Sequence, residues 1–173
     1  MTVSLQGIEL DVNKGKSVAN NKKAKRALGL DDVSFEVKFA KTRSEIGKRA
    51  EIFIWTNNRA EIVFYPEATT FSVRHEVCHV KLFRMGIPLT NTETDLKLFP
   101  TKREYLHMVL IAEYYINELQ RRFFNEYYTG DDESISQPPP FKGLPELPLH
   151  KFTVEQINLL VDIAKGNMPL EGN

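Results

Sequence analysis

The chain has 173 residues, with 23 basic and 23 acidic side chains and 42% hydrophobic residues. That length predicts one domain, and the apolar content predicts a real core, so full disorder is excluded. The balanced charge speaks against a dedicated nucleic-acid binder, and the single cysteine cannot close an internal disulfide. No apolar run approaches the ~18 residues that a membrane span needs. Residues 1–10 lack the basic-then-apolar layout of a signal peptide. The expectation is a soluble, cytoplasmic, single-domain protein over 1–173, with a core at about 31–130, an acidic and proline-rich segment at 131–152 and a C-terminal helix at 153–166. No nucleic-acid or membrane partner is expected, and oligomeric state is left open.

In chain order, residues 12–30 carry six cations and no acid (Lys14, Lys16, Lys22, Lys23, Lys25, Arg26). They predict one short helix over 17–28, with Ser17 as N-cap and Gly29 at its stop. No aromatic interleaves with these charges, so they read as a solvated helix face. Val33, Phe35, Val37 and Phe39 alternate with Ser34, Glu36 and Lys38, the period of a strand with one wet face. Residues 52–55 and 62–65 are short β-rich runs. Asn57 and Asn58 between them tolerate the positive φ of a hairpin turn, and Pro66 ends the second run. A helix follows from Phe71 to Met85, capped by Thr69 or Thr70 and stopped by Gly86 and Pro88. A longer helix opens at Thr101-Lys102-Arg103-Glu104, a capping-box spacing, and is expected to reach about Tyr128. The proline-rich segment reads as an extended crossing, and Thr153 with Gln156 opens the last helix. The fold class predicted is α+β: a small antiparallel or mixed sheet of about three strands packed on two helices.

The chemistry concentrates at His75-Glu76-Val77-Cys78-His79. Residues i and i+4 share a helix face, so both imidazoles can grip one metal ion. Glu76 is rotated ~100° from His75. From there its carboxylate can reach a metal-bound water without being a ligand itself, as zinc-assisted hydrolysis needs. Cys78 is read as packing.

This motif, with a strand at 62–65 taken as a sheet edge before it and a glutamate-bearing helix after it, resembles the zincin metallopeptidases. It is most similar to the gluzincins in their minimal, single-domain form. The resemblance covers roughly 50–128. The stretch after His79 has no His-x-x-Gly-x-x-His extension, which excludes the metzincins. A catalytic zinc takes three protein ligands, so one more residue is needed. Glu104 has a local task in its capping box, and Glu118 sits among Tyr114, Tyr115, Arg121 and Arg122 in a polar setting. Glu113 shares its face with Leu106, Val109, Leu110 and Ile116, where an unpaired carboxylate would be costly and metal coordination would keep it. The competing account of Glu113 is a buried ion pair, for example with Arg74 or Arg84. Ala112-Glu113-Tyr114-Tyr115-Ile116-Asn117 is similar to gluzincin-like helices, which implies that Asn117 hydrogen-bonds a ligand histidine. His107 is a candidate oxyanion donor, or else a core-edge histidine; Tyr65, Tyr105 and Tyr114 share that candidacy.

The expectation is thus a zinc-dependent peptidase holding one Zn2+ on His75, His79 and Glu113, with Glu76 as general base and a peptide or protein as substrate. The strand at 61–65 would present open backbone groups to an extended substrate. A zinc-site regulatory or partner-binding protein, latent or inactive, is the alternative, with residues 138–149 lying across the cleft. A metal-free interaction domain with incidental histidines is the third reading.

Overall fold

The structure, a computed structural model, describes residues 3–5, 8–10, 12–42, 49–56, 58–66, 68–89, 93–124 and 139–166. It is α+β, and it divides into two compact units at residues 1–81 and 82–173. In the first unit, β1 (Val3–Leu5) pairs antiparallel with β2 (Ile8–Leu10), a pairing that no sequence pattern had announced.

The basic stretch forms two helices rather than one, α1 (Val12–Ala19) and α2 (Lys22–Leu28), so Ser17 lies inside α1 and caps nothing. The cause is a pair of asparagines. Asn21 Oδ1 accepts the Ala24 N–H at 2.9 Å and so caps α2. Asn20 bonds across to the first strand of the main sheet: its Nδ2 donates to Phe35 O at 3.1 Å, and its Oδ1 accepts from Phe35 N at 3.3 Å. Side chains that satisfy backbone groups in this way compete with helix continuation.

The main sheet contains β3 (Ser34–Phe39), β4 (Ala50–Thr56) and β5 (Arg59–Phe64) in the order β3-β5-β4. β5 pairs parallel with β3, Ser34 opposite Arg59, and antiparallel with β4, Ala50 opposite Phe64. The 62–65 run is therefore the centre of the sheet and not its edge, and strand addition to it is closed on both sides. Its composition carries the reason: Ala60, Glu61, Ile62 and Phe64 are all buried, the near-continuous pattern of a strand covered on both faces. β3 instead keeps its alternation, with Phe35 and Val37 buried and Ser34 and Lys38 exposed. Against this sheet lies α1. A Cβ at Gly15 would stand only 2.3 Å from Cε2 of the fully buried Phe64, so the helix approaches because that residue has no side chain.

Helix α3 (Thr70–Arg84) spans the boundary between the units. In the second unit, α4 (Glu93–Leu98) was not foreseen, α5 (Lys102–Phe124) is the long helix, and α6 (Val154–Lys165) closes the described chain. The expected end of the long helix near Tyr128 and the acidic part of the proline-rich segment lie outside the described residues. α5 and α6 run antiparallel. The early His107 of α5 meets Ala164 at the end of α6, while Tyr115 packs its ring 5.1 Å from Phe152, just before α6 begins. Residues 139–153 follow α5 without regular structure, tied by the Tyr115 hydroxyl donating to Pro145 O at 2.5 Å and by the buried Leu147. Thr153 and Gln156 complete a reciprocal capping box on α6. Among the described residues no helix is long and apolar enough to cross a membrane.

Candidate metal centre

The site is built on α3, and its start is fixed by a reciprocal cap. Ser72 N–H donates to Thr69 Oγ1 at 3.2 Å while Thr69 N–H donates to Ser72 Oγ at 3.1 Å, and both residues are buried. Ser72 thus fills the return position that a Glu or Gln takes in a standard box. One turn on, Val73, Val77 and Val80 are buried, while His75 and His79 are half-buried on another side of the helix.

The two imidazoles meet edge to face, at a centroid separation of 5.1 Å and an interplanar angle of 72°. Glu76 is 7% exposed, and its Oε2 lies 4.0 Å from His79 Nε2. One ligand-capable atom from each of His75, Glu76 and His79 lies within 4.8 Å of the others. Among the described residues this is the sole group of three or more His, Cys, Asp or Glu placed so. Two imidazole nitrogens and a carboxylate oxygen form a donor set suited to zinc. The spacing is somewhat wider than the ~3.4 Å between ligands that tetrahedral zinc bonds of about 2.1 Å impose, a gap that side-chain rotation can close. Glu76, expected to serve a metal-bound water rather than to coordinate, has its carboxylate within 4.8 Å of both histidine nitrogens.

The other candidates divide. Glu118 is held by Arg121 at 2.6 Å one turn away on α5, the salt bridge its setting had suggested. Glu104 accepts from the Thr101 hydroxyl at 2.7 Å and its own N–H donates to Thr101 Oγ1, so its local task is real. Cys78 is fully buried and outside the ligand group. His107 Nδ1 stands 2.9 Å from Ala164 O. A carbonyl only accepts, so Nδ1 carries the proton, and with Phe141 5.1 Å from its ring these contacts account for His107 structurally. The Tyr65 hydroxyl donates to Glu51 at 2.6 Å, and that bond raises its pKa.

Glu113 is half-buried on α5, with Asn117 also half-buried one turn on. The apolar surroundings argued for Glu113 are corrected in part. The buried face of α5 is Met108, Ile111, Ala112, Tyr115, Ile116 and Leu119, whereas Leu106 and Leu110 are exposed. The helical wheel places Leu106 and Leu110 together, but only tertiary packing decides which stripe goes inside. No family model, no curated protein and no solved structure matches this chain.

Proposed function

We propose that the chain is a zinc-dependent metallopeptidase whose site is assembled on α3. The observation that supports this reading is the convergence of His75, Glu76 and His79 within 4.8 Å on one turn of a capped helix. His75 and His79 would hold the ion, with Glu113 proposed as the third ligand. A zinc ion bound there supplies Lewis acidity to a carbonyl and lowers the pKa of a coordinated water to about 7.

The chain's own residues would do the rest. Glu76 accepts a proton from the attacking water and delivers it to the leaving amine. The neighbouring His79 ring limits where the Glu76 carboxylate can turn. Substrate positioning by addition to β5 is not part of the proposal, because β5 is paired on both sides.

Two measurements on the full chain test this. Metal analysis of protein equilibrated with zinc should give one ion per chain, lost in His75→Ala and His79→Ala. Glu76→Gln should keep that ion yet lose about 100-fold or more of peptide-bond hydrolysis. A Glu76→Gln variant that loses the metal would make Glu76 a ligand and remove it as the base.

A further inference from the structure

Helix α2 is electrostatically at odds with itself. At 100° per residue, Lys25, Lys22, Arg26 and Lys23 cover an arc of about 160° of its surface. The remaining side is Ala24, Ala27 and Leu28, and Leu28 is fully buried. Lys22, Lys23 and Arg26 are exposed, and Lys25 is half-buried. Three like-charge pairs fall at helical contact spacing, Lys22 with Arg26, Lys22 with Lys25 and Lys23 with Arg26, and each destabilises the helix. Lys22 and Lys23 also stand in the first turn, where the helix dipole disfavours cations, and that turn holds no acid. None of the four cations makes an ion pair among the described residues. The helix forms in spite of this, because Asn21 caps its start and Gly29 closes its end in the left-handed conformation. A local rule broken without an internal gain marks a surface shaped by something outside the fold.

Dense negative charge is what would relieve this repulsion. The zero net charge of the chain does not supply it, since at physiological ionic strength exposed charges farther than about 8 Å are largely screened. The nearest acids in sequence, Asp11 and Asp31, bracket the stretch and do not interrupt it. The side chains then narrow the partner. Among the described residues α1 and α2 expose no large apolar side chain, so nothing there enters a bilayer. The two helices contain no aromatic residue, so single-stranded bases find no stacking platform. Three of the four cations are lysines, point charges that suit phosphate and leave base edges unread.

We propose that the outer face of α2 binds the phosphate backbone of duplex nucleic acid without reading its sequence. The contact is made by side chains along the helix and not by its amide end. The proposal is independent of the peptidase reading, because its residues belong to neither the histidine cluster nor α5.

The test is fluorescence anisotropy of a labelled DNA duplex titrated with the full chain between about 50 and about 200 mM NaCl. Four neutralised phosphates predict a log–log salt slope of about −3.6, so affinity should fall about 100-fold across that range. Lys22→Gln, Lys23→Gln and Arg26→Gln combined should weaken binding about tenfold or more at the lower salt and bring the slope to about −1. That variant should unfold no earlier than wild type, since it loses only like-charge pairs, which separates lost binding from lost folding. A control with the same charge change at other exposed positions, Lys102→Gln, Arg103→Gln and Lys151→Gln, should bind as wild type does. No binding by wild type at the lower salt, or equal weakening in the control, overturns the proposal. Adsorption to phosphatidylserine vesicles with the duplex left free would overturn it too.

Discussion

Glu76 Oε2 stands 4.0 Å from His79 Nε2, three residues along one helix and at a site with only 7% exposure for the acid. A carboxylate this close to an imidazole, with a second imidazole beside it, is an arrangement a cation would strengthen. Zinc at about 100 times its dissociation constant should then stabilise the fold by about 2.7 kcal/mol. For a chain of this length that corresponds to a rise of about 5–10 °C in the unfolding midpoint. EDTA should reverse the rise, and His79→Ala should abolish it. A midpoint indifferent to zinc in the wild type would leave the histidine pair without a metal.

Tyr115 ties alkaline stability to one hydroxyl. Burial, with a smaller contribution from Tyr114, raises its pKa well above the ordinary 10.0. The folded chain therefore keeps a proton that the unfolded chain releases above about pH 10. Below that pH the two states bind it equally, and the group contributes no slope. Above it, stability should fall by up to about 1.4 kcal/mol per pH unit. Tyr115→Phe should lose about 1 kcal/mol at neutral pH, through the missing bond to Pro145 O, yet fall less steeply between pH 9 and 11. Urea titrations at both ends of that interval check it; equal slopes in the two proteins would refute the assignment.

Gly15 tests how closely α1 lies on the sheet. Alanine is the better helix former by about 1 kcal/mol. Its Cβ would nevertheless stand 2.3 Å from Phe64 Cε2, inside contact distance of a ring that also packs 5.5 Å from Phe39. Overpacking of this kind costs about 1–3 kcal/mol, so Gly15→Ala should be net destabilising by up to about 2 kcal/mol once the propensity gain is subtracted. A stabilised variant in denaturant unfolding would place α1 elsewhere.

Asn20 is the counterpart at the helix break. It bonds Lys16 O, Phe35 O and Phe35 N at 3.1, 3.1 and 3.3 Å. Asn20→Ala leaves those backbone groups to find other partners and should cost about 1–3 kcal/mol. Amide exchange should quicken at Phe35 before it does at Ile62 in the sheet centre.

What was legible in the sequence was what depends on near neighbours along the chain. The His75 and His79 pairing follows from helical spacing alone, and the box at Thr153 and Gln156 needs only three residues of separation. The mixed three-stranded sheet was also foreseen in outline. The failures were tertiary. The run at 62–65 could not be told as central, because its parallel partner is remote in sequence. Asn20 looked like a helix interior because its bonds reach across to Phe35. Leu110 beside Glu113 looked like core, since a wheel shows two stripes and not which one is covered. A third ligand belongs to this second kind of question.

The parallel pairing of β3 with β5 imposes an order of assembly. β4 and β5 are antiparallel neighbours separated by only two residues and can zip together within microseconds. Ser34, by contrast, must wait for Arg59 to be synthesised and placed before its own strand has anything to align with. The hairpin is thus the seed and β3 the late arrival, the slower closure of the two. Kinetic φ-values near one at Ile52 and near zero at Val37 are the signature that this schedule would leave.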